Sequence, residues 1–141
     1  MMMRRFFVLA GLLLLGGFTA ACGSPTDCHA GDSCGCTGQD VCVWNCKGGD
    51  CTFTADTQGT VTLTCDDGGC SLTASGQSTV AYDCAGGSCT ANVSSQATVN
   101  MVCEGGACSA TVSDSGTCNL SSCTDCTCDD SADITATCGM M

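Results

Sequence analysis

From Cys46 onward, apolar and polar positions alternate with a period of two. Val61, Leu63 and Cys65 share one face, and Thr60, Thr62 and Thr64 share the other. Val80, Tyr82 and Cys84 repeat the first set, followed by Val99, Met101 and Cys103. A second series runs through Cys51, Phe53 and Ala55, then Cys70, Leu72 and Ala74, then Cys89, Ala91 and Val93, then Cys108, Ala110 and Val112. Side chains alternate across a strand, so these segments predict half-buried β-strands. Outside the N-terminal leader, no window carries a helical stripe.

The strands are punctuated by a repeat. Cys46–Cys51, Cys65–Cys70, Cys84–Cys89 and Cys103–Cys108 each begin 19 residues after the last and enclose paired glycines. A fifth segment, Cys123 to Cys128, follows at 20 without the glycine pair; a degenerate one, Cys28 to Cys34, precedes at 18. The turn centres Gly48-Gly49, Asp67-Gly68, Gly86-Gly87 and Gly105-Gly106 suit positive φ. Polar segments such as Ser75-Gly76-Gln77-Ser78 make the second corner of each repeat.

Two all-β architectures fit this pattern. An antiparallel meander leaves its Val/Leu/Cys face uncovered unless the sheet closes into a barrel. A β-solenoid of five to six 19–20-residue coils folds that face inward and stacks Val61, Val80 and Val99 in one column. Like residues at a fixed period favour the solenoid. Its logic resembles that of the Cys-rich antifreeze β-helices of beetles, whose repeat is shorter. The chain also resembles Cys-rich repeat lipoproteins of bacterial secretomes.

Eighteen cysteines in 141 residues leave little room for a thick apolar core. Small domains of this kind use staples. Behind an export signal, disulfides are the default state of such cysteines. We expect bridges Cys46–Cys51, Cys65–Cys70, Cys84–Cys89, Cys103–Cys108, Cys123–Cys128 and Cys28–Cys34. A hairpin-like corner would hold each pair of Cα atoms about 4.5–5.5 Å apart. Cys118 and Cys138 fall in the Val99 column and would pin the C-terminal cap as a pair. Cys42 falls in that column too, with Cys36 as its partner if Cys22 is lipidated. Lipidation leaves 17 cysteines, with Cys126 the odd one out. Pairing up the stack, for example Cys46–Cys65, is the alternative scheme.

Residues 1–21 have the three parts of a secretory signal: Arg4 and Arg5, an apolar run from Phe6 to Phe18, and small residues Thr19-Ala20-Ala21. With Cys22 next, the segment resembles the lipobox of bacterial prolipoproteins. Thr19 departs from the family's usual Leu. The resemblance implies lipidation at Cys22, a membrane contact through that lipid, a tether over 22–27 and a repeat domain over 28–141. Gly23 follows the Cys where an Asp would favour inner-membrane retention, which implies an outer-membrane or cell-surface destination. The other reading is ordinary cleavage after Ala21, with Cys22 free for a disulfide.

Losing Arg4 and Arg5 with the leader takes the formal charge from −11 to −13, and Lys47 is then the only Lys or Arg. Such a chain repels phosphate backbones, which excludes nucleic acid as a partner. Catalytic groups are sparse. His29 is the single His and reads as an exposed loop residue; Lys47 reads as a turn charge opposite Asp50. Asp66, Asp67, Asp125, Asp129, Asp130 and Asp133 could offer oxygen to Ca²⁺, but match no calcium loop. Only Cys123, Cys126 and Cys128 have thiolate-metal spacing. Trp44 and Tyr82 fall on the apolar face. Thr60, Thr79, Thr98 and Thr117 would form an outer column beside Thr62, Thr64 and Asn100, a flat array able to meet polysaccharide or ice. The expectation is a non-enzymatic surface lipoprotein without cofactor, structural or adhesive, with a protein or polysaccharide ligand. A metal-sequestering Cys-rich protein is the alternative.

Overall fold

The computed structural model describes residues 26–123, 127–130 and 136–140. The expected leader, Cys22 as the expected lipidation site, and Cys126 lie outside these residues, as do the side chains of Cys123, Cys128 and Cys138. The described strands are β1 (Thr26–His29), β2 (Ser33–Gly38), β3 (Cys42–Lys47), β4 (Thr52–Thr57), β5 (Thr60–Cys65), β6 (Ser71–Gly76) and β7 (Thr79–Asp83). Then come β8 (Thr90–Val93), β9 (Thr98–Val102), β10 (Ser109–Val112), β11 (Thr117–Cys123), β12 (Thr127–Asp130) and β13 (Ala136–Met140).

Odd-numbered strands build one sheet in the order β1-β3-β5-β7-β9-β11-β13, and even-numbered strands build a second in the order β12-β10-β8-β6-β4-β2. Every described pairing is parallel. The chain is therefore a β-solenoid, and the antiparallel meander is excluded. One coil is one repeat: Val61 pairs with Val80 and Val80 with Val99. β1 begins at Thr26, so Thr26 and Asp27 belong to the first strand.

The core lies between the sheets. One inner column runs Trp44, Leu63, Tyr82, Met101, Leu120. The other sheet answers with Phe53, Leu72, Ala91, Ala110. The Trp44 and Phe53 rings stack at 5.6 Å, which shows these two columns facing each other. All of these residues are buried. The second column shrinks to Ala91 and Ala110 in the coils where the first carries Tyr82 and Met101, which is the alternation of large and small that dense packing requires.

The structure holds the bridges Cys46–Cys51, Cys65–Cys70, Cys84–Cys89 and Cys103–Cys108 at one corner, with Cys28–Cys34 in the first coil. Cys36–Cys42 closes the opposite corner of that coil. The corners are not hairpins. Cα separations in the four stacked bridges are 6.0–6.4 Å, because each corner carries the chain from one sheet to the other. In the Cys84–Cys89 and Cys103–Cys108 corners, positive φ accordingly falls on the second glycine and the residue after it. Gly87 has φ +74 and Ser88 +56; Gly106 has +72 and Ala107 +56.

The C-terminal cap departs from expectation. Cys118 pairs in register with Ala136, while Cys138 pairs with Leu120. The last pairing advances by 18 residues rather than 20, so Cys118 and Cys138 stand in different columns. Cys118 is buried and free. A bulge between Leu120 and Cys123, with Ser122 at φ +57, absorbs one inserted residue. Cys128 pairs with Ala110, so it stands two residues past the column of Cys108.

Candidate functional site: a sulfur-lined corner and two hydroxyl faces

The glycine corner is built by close approach of successive coils. A Cβ on Gly68 would sit 2.4 Å from the Gly87 carbonyl oxygen, and one on Gly87 would sit 2.6 Å from that of Gly106. Only hydrogen fits there. The approach lets Asp50 N–H donate to Gly68 O (3.1 Å), Gly69 N–H to Gly87 O (3.0 Å) and Ser88 N–H to Gly106 O (3.0 Å). The sheet ladder thus continues around the bend. The Gly48 N–H donates to Asp67 Oδ2 at 2.9 Å, one reason for an acidic residue in that turn.

The bridges stack behind this backbone, all buried. The sulfurs of Cys46, Cys51 and Cys70 lie within 4.8 Å of one another, as do those of Cys84, Cys103 and Cys108. Cys46 Sγ is 3.3 Å from Gly49 O, Cys65 Sγ 3.3 Å from Gly68 O, and Cys84 Sγ 3.4 Å from Gly87 O. A bridged sulfur carries no hydrogen, so these are packing contacts.

The opposite corner is a polar ladder that the sequence reading did not single out. Gln39 donates to Gln58 at 3.1 Å and Gln77 to Gln96 at 3.2 Å. Thr57 Oγ1 donates to Gly38 O and accepts from Gly59 N–H.

Both outer faces carry hydroxyl and amide columns. On the seven-stranded sheet, Thr60, Thr79, Thr98 and Thr117 align as expected, beside Thr62, Ala81, Asn100 and Asn119. Asn119 donates to Asn100 at 2.9 Å. The six-stranded sheet holds a more regular array. Ser33, Thr52, Ser71, Thr90, Ser109 and Thr127 form one column, and Thr54, Thr73, Asn92 and Thr111 the next. The same 19-residue spacing could have revealed it, since these positions flank the second apolar series.

The remaining candidates are dispersed. His29 ends β1 and is exposed; its backbone N–H donates to Asp32 Oδ2 at 2.8 Å. Lys47 pairs with Asp27 at 2.6 Å rather than with Asp50, because strand pairing places Asp27 on the adjacent coil. Asp66 and Asp67 are exposed at the glycine corner. Asp129 stands in line with Thr111, while Asp125 and Asp133 lie outside the described residues. Trp44 and Tyr82 are core residues. Burial pushes the Tyr82 hydroxyl's pKa up, and its oxygen has no partner. Burial likewise pushes the Cys118 thiol up to about 12, far from the thiolate a nucleophile needs.

Compared with protein-family models, curated proteins and solved structures, the chain matches none. What the geometry itself builds is an all-β, disulfide-stapled repeat scaffold of structural or adhesive type.

Proposed function

We propose that this chain is an exported, lipid-anchored rod that presents its flat faces at the cell surface as a non-enzymatic structural or adhesive module. The observation that carries the reading is the register of the outer columns. Hydroxyls recur on every coil of the six-stranded sheet, held about 4.8 Å apart along the rod. A rigid array of this kind loses little entropy on binding a repetitive partner such as a polysaccharide. Arg4, Arg5, the apolar run and Cys22 support export and acylation. Two or more acyl chains hold a protein firmly on a bilayer.

The intact mass of the natively exported protein tests the anchor. The expected mass includes acyl chains and oxidised bridges; a mass matching cleavage after Ala21 with an unmodified Cys22 overturns it. The adhesive role is tested with envelope polysaccharide in a pull-down. Replacing Thr54, Thr73 and Thr111 with Lys should abolish retention and leave the β circular dichroism intact. Unchanged retention would dismiss the face. The same array favours ice as a second repetitive partner, checked by ice-recrystallisation inhibition with the same variant.

A further inference from the structure

The stacked bridges bring together sulfurs from different coils. Cys70 stands within 4.8 Å of both Cys46 and Cys51, and Cys84 within 4.8 Å of both Cys103 and Cys108. Each group draws two cysteines from one bridge and one from the bridge of the adjacent coil. Thiolates around a metal with bonds of about 2.3 Å lie about 3.8–4.0 Å apart. The third sulfur of each group need therefore close by less than about 1 Å, while the two freed from one bridge part by about 2 Å, both within reach of a side-chain rotation.

The corner also suits the reduced state. The carbonyls of Gly49, Gly68, Gly87 and Gly106 already lie 3.3–3.4 Å from Cys46, Cys65, Cys84 and Cys103, where a thiol hydrogen would find an acceptor. Asp50, Asp66, Asp67 and Glu104 are exposed around the corner and attract cations towards it. The ligands are sulfur throughout, which selects soft cations such as Cu(I), Zn²⁺ and Cd²⁺ over hard ones.

We propose that, once a dithiol reductant opens the corner bridges, the stacked cysteines become two sites for a soft thiophilic cation. One site is Cys46, Cys51 and Cys70; the other is Cys84, Cys103 and Cys108. Each opened bridge takes two electrons and two protons from the dithiol, which leaves as its own disulfide. Each site requires two bridges opened. Metal binding then forms three metal–sulfur bonds per site and releases three thiol protons to solvent, leaving Cys65 and Cys89 as thiols. The oxidised rod holds the same sulfurs sealed, so redox state gates the site. The proposal is independent of the lipid anchor and of the hydroxyl faces. It places soft-metal chemistry in the glycine corner rather than at Cys123, Cys126 and Cys128.

The test reduces the full exported chain with a water-soluble phosphine under argon, removes the phosphine, and titrates with Cd²⁺ alone. The expected result is two cadmium ions per chain, an ultraviolet sulfur-to-cadmium absorption, and recovery of the β circular dichroism lost on reduction. Cys65→Ser/Cys70→Ser should take one ion, as should Cys84→Ser/Cys89→Ser. Cys36→Ser/Cys42→Ser, at the opposite corner, should still take two. Equal loss in all three variants, or uptake by the oxidised protein, overturns the proposal. X-ray absorption of the wild-type complex needs no variant to fold: sulfur-dominated ligation supports the sites, and oxygen ligation overturns them.

Discussion

Tyr82 places a hydroxyl in the core with no partner, and Phe53 and Trp44 supply aromatic bulk nearby without that cost. An unsatisfied buried polar group costs about 1–3 kcal/mol. Tyr82→Phe should therefore leave stability unchanged or raise it by about 1 kcal/mol, read from the urea midpoint of Trp44 fluorescence; a clear loss would reveal a partner. Cys118 adds a pH dependence. Its pKa is about 12 when folded, against an ordinary 9.0 when unfolded. Above pH 9 the unfolded chain gives up this proton while the folded chain keeps it, so stability falls as pH rises, by about 1.4 kcal/mol per unit. Cys118→Ala should flatten the decline between pH 9 and 10. A decline as steep as wild type's would mean that the thiol ionises inside the fold.

The corner is the element on which the fold turns. Each stacked bridge closes a short loop, with a sequence separation of 5. Removing Cys84 and Cys89 together as Ala should cost about 2 kcal/mol on the chain-entropy model. The glycines divide into two kinds. Gly68→Ala combines φ +77 with a Cβ 2.4 Å from a backbone oxygen, so the coils must part there. Gly31→Ala has φ +83 but nothing within 4 Å, and should cost only about 1 kcal/mol. Oxidative refolding yield should drop sharply for the first and little for the second; equal yields would show that the close approach is not needed. Corner bridges were legible in the sequence because their partners are five residues apart. The corner's backbone was not, since a hairpin and a sheet-to-sheet bend use the same C-x-G-G-x-C letters.

At the scale of the rod, each coil touches only its neighbours, so stability is close to a sum over coils and their interfaces. Deleting residues 80–98 removes one whole repeat with both of its cysteines and sets Val99 where Val80 stood. That variant should fold, somewhat less stably, with one bridge fewer. Deleting 80–97 instead puts Thr98 in the Val80 position and turns alternate side chains the wrong way. It should misfold, as judged by free-thiol count and circular dichroism; a native spectrum would show that the loops can absorb a register slip. The intact rod should keep its β spectrum on heating and lose it on reduction.

By itself, the sequence determined the period and the inward and outward faces, because both are local. Alternation decides the face of each residue, while the corner staples, expected from five-residue loops, still had stacked pairing as their rival until the structure chose between them. Only the tertiary structure decided what depends on neighbouring coils. Lys47 found Asp27 rather than Asp50 because strand pairing outranks proximity along the chain. Cys118 lost Cys138 because the final repeat pairs at an offset of 18 residues, which sets Cys138 beside Leu120. Insertions and deletions of single residues read alike in a sequence wherever they fall. Packing and backbone hydrogen bonding choose whether a strand or a corner takes them up.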